Sequence, residues 1–144
     1  MKRVRTKRWI AGLLLGVAVG LAGCQDAGTG VDEQIPTGVV LMDTNGNTVA
    51  SANGSTVSGR IQIRNGVPQA FQVRLIGVGG SELGLGQRYV LQPRIVSSTL
   101  GHAVVSGADV VILTGRTTGS TTLVLDVMDG GTSVLGPLFP VTIS

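Results

Sequence analysis

Apolar and polar residues alternate with a period of two along most of the chain after about residue 38. This spacing is typical of β-strands that bury one face, whereas an amphipathic helix repeats every three to four residues. Glycine and β-branched residues are frequent throughout, and no segment has a convincing helical pattern. The predicted strands are residues 39–42, 57–64, 71–76, 88–96, 109–114, 121–128 and 138–143.

Turn signals separate these strands. Asn45-Gly46 suits a tight hairpin turn, residues 77–87 contain five glycines, and Asp129 is followed by two more. About seven short strands with such spacing predict an all-β fold, a single β-sandwich, with a small β-barrel as the alternative. The predicted core consists of Ile61, Ile63, Phe71, Val73, Leu75, Ile112, Leu123, Leu125, Val127, Phe139 and Val141.

The N-terminus has a different pattern. Residues 1–9 are strongly basic, and residues 10–22 are apolar apart from glycines, which is too short for the roughly 20 residues of a membrane-spanning helix. Leu21-Ala22-Gly23-Cys24 follows, and this motif resembles the lipobox of bacterial lipoproteins. The resemblance implies cleavage before Cys24 and a diacylglycerol, often with a further acyl chain, on that residue. Residues 1–23 are therefore expected to be a cleaved signal peptide.

The segment from residue 24 to 38 is polar, contains Gly and Pro, and lacks apolar periodicity. It is expected to be a lipidated N-terminus and flexible tether, followed by a sandwich domain over residues 39–144. Gln25 directly after Cys24 resembles the outer-membrane sorting pattern of lipoproteins rather than the inner-membrane one. The expected location is the cell envelope, lipid-anchored, with the outer membrane favoured over the inner.

The net charge of +3 is due to the basic residues of the expected signal peptide. Five of the eleven Lys and Arg residues lie within the first eight positions, while all eight acidic residues follow Cys24. The mature chain is thus slightly acidic, and nucleic acid is not expected as a partner. Cys24 is the only cysteine, so the domain contains no disulfide, and a lipid thioether removes the odd thiol of an exported protein.

Residues 110–127 form a strand, a glycine-containing turn and a Thr-rich strand, and with the motif Asp43-Thr44-Asn45-Gly46-Asn47 they resemble bacterial immunoglobulin-like domains. The resemblance implies a single immunoglobulin-like β-sandwich. It does not extend to antibody hallmarks, since the sandwich segment has neither a tryptophan nor a cysteine pair.

Candidate chemistry is sparse. His102 is the only histidine, so the usual zinc ligand sets and a histidine-based triad lack partners. Asp43 begins a run that partly imitates a calcium loop, but Thr48 replaces its glycine and Gly54 its carboxylate. We expect no catalytic residue, no metal and no cofactor other than the covalent lipid on Cys24.

Residues 57–64 and 71–76 are expected to pair as a hairpin, with Ile61 opposite Val73 and Ile63 opposite Phe71. That register would align Arg60, Arg64 and Arg74 on the outer face, a possible surface for an anionic partner, although a solvated face is the simpler interpretation.

Two functions follow from these patterns. The first is a non-catalytic binding or structural module, held at the membrane by its lipid and engaging an envelope protein or glycan. The alternative is a carrier lipoprotein that holds a small ligand in a cleft of the sandwich or barrel. The two differ in one structural feature, because a carrier needs an apolar cavity of several hundred Å³.

Overall fold

The computed structural model describes residues 34–144, which form two β-sheets packed face to face. One short 3-10 turn, Val78–Gly80, is the helical element of this part of the chain. The strands are β1 Pro36–Met42, β2 Thr48–Asn53, β3 Thr56–Gly59, β4 Ile61–Ile63, β5 Gln69–Gly77, β6 Glu82–Leu83, β7 Tyr89–Ile95, β8 Gly101–Ser106, β9 Val110–Gly115, β10 Gly119–Asp129, β11 Thr132–Leu135 and β12 Leu138–Ile143.

The first sheet has the order β3-β2-β1-β5-β9-β8, with β6 beside β5. In the second sheet β7 pairs with one edge of β10, β12 and β11 pair in succession along its other edge, and β4 pairs with β12. Within them, β1-β5-β9-β8 faces β7-β10-β12. This is the A-B-E-D against C-F-G arrangement of an immunoglobulin constant-type domain, so the expected immunoglobulin-like sandwich is confirmed. The seven framework strands are supplemented by β2, β3, β4, β6 and β11.

The core lies between the two sheets and is aliphatic and aromatic. The structure buries all but one of the predicted core residues. The exception is Ile112, which is half-buried on the outer face of β9, while Val111 and Leu113 face the core. Every position from 110 to 113 is apolar, so the sequence could not indicate which alternate set faces inward.

Two features at the ends of β1 bear on the sequence predictions, the turn that follows the strand and the residue at which the strand begins. Asn45-Gly46 forms the turn between β1 and β2, with Gly46 at φ 82° and its N–H donating to the Asp43 carbonyl at 3.0 Å. β1 begins at Pro36, three residues before the expected start of the domain at residue 39. Gly38 lies within β1. An added Cβ there would lie 2.8 Å from the Ala52 carbonyl oxygen of β2, so the two strands approach closely at this glycine.

The predicted strand 57–64 is two strands in different sheets. β3 pairs antiparallel with β2 in the first sheet, and β4 pairs parallel with β12 in the second, with Ile61 beside Val141. The chain changes sheets at Gly59 and Arg60. The predicted hairpin between residues 57–64 and 71–76 is therefore wrong, because β5 pairs with β1, β6 and β9 instead.

Candidate functional site

The residues expected to form a lipobox, Leu21, Ala22, Gly23 and Cys24, lie outside the described residues. The described chain begins beside the sandwich at Gln34, whose carbonyl accepts a 2.7 Å hydrogen bond from the hydroxyl of the buried Tyr89. This bond joins the start of β1, in one sheet, to the start of β7, in the other. It fixes where the chain enters the domain.

A second contact supports this entry point. The Nε and Nη2 atoms of Arg88 both lie 2.9 Å from Oδ2 of Asp129, at the end of β10. The Arg88 guanidinium also lies over the Tyr89 ring, 5.2 Å from its centroid. A charge-assisted pair and a cation–π contact thus hold the tyrosine that binds Gln34.

The strand directions define two ends of the sandwich. β1 and β7 begin, and β5 and β10 end, at the end that carries Gln34; we call this end the entry pole. It contains residues 34–36, 54–55, 78–88 and 130–131. We call the opposite end the far pole, which contains residues 43–47, 64–68, 97–100 and 116–118.

The three arginines that the sequence placed on one stripe are separated. Arg74 lies on β5 in the first sheet, where its Nη1 is 3.7 Å from the Glu82 carboxylate. Arg60 stands at the crossing between the sheets, and Arg64 follows β4 at the far pole. The pairing that would have aligned them does not exist, so the proposed anionic-partner surface loses its geometric basis.

Asp43 serves the β1–β2 turn. Its Oδ1 accepts bonds from the backbone N–H groups of Asn47 at 2.8 Å and Asn45 at 2.9 Å, and its Oδ2 accepts one from the Asn47 side chain at 3.2 Å. The backbone N–H of Asn47 is the largest cause that lowers the pKa of Asp43. Within residues 34–144, no group of three or more His, Cys, Asp or Glu side chains could hold a metal ion.

A pH-dependent prediction arises from this turn. Because the folded-state pKa of Asp43 is lowered, its stabilising contribution is present above the ordinary Asp value and is lost as the pH falls through the folded value. We expect the unfolding free energy of the wild type to decrease below about pH 4, and Asp43→Asn to remove part of that decrease. Urea unfolding between pH 2 and pH 7 measures both profiles. Superimposable slopes for the two proteins would contradict the prediction.

His102 lies on β8 and is half-buried, and its Nδ1 is buried with no hydrogen-bond partner. With no second histidine in the chain and no metal cluster in the described part, it lacks the partners that zinc or triad chemistry requires.

No helix among residues 34–144 is long and apolar enough to cross a membrane.

The larger cavities are grooves on the surface. One of about 510 Å³ lies on the outer face of the first sheet over Gly38, between Asn53 and Val78. Another, of about 650 Å³, lies between Val57 of β3 and Val134 of β11. Most of the residues that line these two grooves are exposed or half-buried, and the space between the sheets is filled by the core side chains.

A scan against models of known protein families gives no match, and a search of curated proteins gives none either. Solved structures with a similar backbone include domains 5–6 of the S-layer protein SbsC, at 17% identity and a TM-score of 0.49 over 60% of this chain and 40% of that one. Domains 4 and 5 of SbsC give 13% identity and a TM-score of 0.48 over 73% of this chain and 75% of that one. Domains 4–9 of SbsC give 14% identity and a TM-score of 0.49 over 78% of this chain and 22% of that one. At these identities the similarity concerns the fold alone.

Sequence reasoning missed the contacts at the entry pole. Tyr89 was assigned only to an extended run, and its hydroxyl partner is 55 positions away in the chain. The one available signal is that Tyr89 is the only tyrosine in the protein. A buried tyrosine hydroxyl normally has a hydrogen-bond partner, but the sequence does not indicate which one.

Proposed function

We propose that this chain is a lipid-anchored, non-catalytic module of the bacterial cell envelope, whose sandwich engages an envelope protein or glycan. The observation that carries the proposal is Leu21-Ala22-Gly23-Cys24 directly behind a short apolar segment. Lipid on Cys24 would also leave the mature chain without a free thiol. Gln25 in the next position favours the outer membrane.

The position of β1 supports a short connection to the membrane. About a dozen peptide units separate Cys24 from Pro36, and a fully extended chain of that length spans at most about 40 Å. The module would therefore work close to the bilayer. Two or more acyl chains on Cys24 would give stable anchoring, since each buried CH₂ contributes about 0.8 kcal/mol.

The packing of the sandwich favours a binding or structural module over a carrier. A carrier needs a concave apolar site that encloses most of its ligand. Here Leu41, Leu113 and Phe139 are among the fully buried side chains that fill the space between the sheets. The grooves described above open to solvent, so a partner would be bound at the surface.

The anchoring is tested by Cys24→Ser. We expect wild-type protein to partition into the detergent phase and to have an N-terminal peptide with the mass of a lipidated Cys24, while Cys24→Ser gives an unlipidated precursor whose mass still includes residues 1–23. Gln25→Ser is the matched control, because it introduces the same residue one position later and should leave lipidation intact. An unmodified Cys24 in the wild type, or cleavage at another residue, would refute the proposal.

A further inference from the structure

Exposed aliphatic side chains occur towards both ends of the sandwich, Val67 and Val96 towards the far pole, but the most exposed one lies at the entry pole. At its tip, Val78 is 68% exposed and Ile35 is 56% exposed, the first in a 3-10 turn and the second just before β1. Val90 and Val134 are also exposed, in the parts of β7 and β11 nearest this pole. Val78 is the most exposed of the large apolar residues in the described part of the chain. Because Pro36 pairs with Gly77, Ile35 and Val78 adjoin the ends of neighbouring strands, and these two side chains are the candidate contact surface.

The charged side chains at this pole are paired with one another. Arg88 binds Asp129 at 2.9 Å, and Glu82 lies 3.7 Å from Arg74. These four side chains sum to zero charge, and Asp32 and Glu33 directly precede Gln34 in the sequence, so a zwitterionic surface suits this pole better than an anionic one. The far pole differs, because its turns carry Asp43, Arg64 and Arg116.

The covalent path of the chain identifies what this surface meets. The described chain begins at Gln34, beside Ile35 and on the same pole as Val78, and Cys24 lies ten positions before Gln34 in the sequence. With at most about 40 Å of chain between Cys24 and Pro36, a lipid on Cys24 would be joined to the sandwich at its entry pole. A short tether raises the effective concentration of such a contact to the millimolar range, so a weak apolar interaction suffices.

We infer that the entry pole rests on the surface of the lipid bilayer, with Val78 and Ile35 at the level of the headgroups and the far pole directed away from the membrane. The inference rests on the proposed lipid anchor and adds an orientation of the module. Since the pole has no net charge among its paired groups, a zwitterionic lipid surface is enough. The far-pole groove of about 540 Å³ beside Gln62 and Gln69 would then face away from the membrane, accessible to a partner.

The natural sequence provides a simple reporter for this contact. Its single tryptophan, Trp9, belongs to the expected signal peptide, so mature Val78→Trp would contain one tryptophan, at the entry pole. Val67→Trp is the matched control, because Val67 is 46% exposed in a far-pole turn and receives the same side chain. Both lipidated mature proteins are reconstituted in phosphatidylcholine vesicles with and without brominated acyl chains, and their mature masses are verified first.

We expect Val78→Trp fluorescence to shift to the blue on reconstitution and to be quenched several-fold more strongly by brominated lipid than Val67→Trp fluorescence. If the proteins float with the vesicles but Val78→Trp is quenched no more than Val67→Trp, the orientation is wrong while the anchor stands. If neither lipid mass nor co-flotation is found, the anchor itself is refuted, and this inference falls with it.

Discussion

Replacing Leu125 with alanine should lower the free energy of unfolding by about 2–5 kcal/mol. Leu125 is 0% exposed at the centre of β10, the strand that pairs with β7 on one side and with β11 and β12 on the other. Truncation removes buried methyl groups and leaves a cavity that the neighbouring strands can close only in part, because their backbones are fixed by the ladders on both sides. Equilibrium unfolding of the mature chain in urea measures the loss.

Leu138→Ala provides the control for that measurement. Leu138 lies on β12, next to β10, but its side chain is 57% exposed on the outer face of the same sheet. The same change in side chain should therefore cost only about 0.5 kcal/mol or less. Similar losses for the two variants would mean that the core is not where the structure places it.

The period-two pattern predicted the framework strands well because a half-buried strand must alternate. It was least informative where the alternation is weak. β2, Thr48–Asn53, buries only Ala50 and Ala52, and β8, Gly101–Ser106, has small or half-buried residues, so neither was recognised. Pro93 lies within β7, at the edge of its sheet, where the missing N–H is not needed.

The hairpin error has a different origin. Ile61, Ile63, Phe71 and Val73 are all buried, as the alternation indicated, but the two pairs belong to opposite sheets. Alternation shows which side chains face the core, and it does not show from which sheet they do so. The prediction assumed that neighbouring strands pair, which is the common case, and a short connection through residues 64–68 supported it.

The candidate site likewise has one part that the sequence indicates and one part that only the strand order reveals. The resemblance to a lipobox rests on a local motif, so the sequence alone suffices to predict a role for residues 21–24, and that role stays a prediction. The entry pole is assembled from Gln34, Val78, Arg88 and Asp129, which are brought together by the order of strands rather than by any local pattern. A surface of this kind becomes visible only when the topology is known.

The second large effect on stability is expected at Gly59, where the alternating sequence pattern did not indicate that the chain changes sheets. Gly59 has φ +84°, and a Cβ added there would lie 2.4 Å from the Val49 carbonyl oxygen and 2.9 Å from the Ala50 Cα. Both contacts are backbone atoms of β2, so no flexible side chain can move aside. The backbone at Gly59 and Arg60 takes the chain from β3 in one sheet to β4 in the other. Glycine is required for both the conformation and the close approach.

Gly59→Ala should therefore destabilise the sandwich by about 2–5 kcal/mol, roughly 1–2 kcal/mol from the left-handed backbone and the rest from displacing β2. Gly54→Ala is the matched control: Gly54 also has a positive φ, +56°, but nothing lies within 4 Å of an added Cβ, so only the backbone cost of about 1–2 kcal/mol remains. Urea unfolding gives both values, and hydrogen exchange should show the additional loss of Gly59→Ala in β4 and β12, since β4 pairs with β12. Equal costs for the two variants, or exchange that is unchanged in β4, would show that the crossing between the sheets does not depend on a glycine at this position.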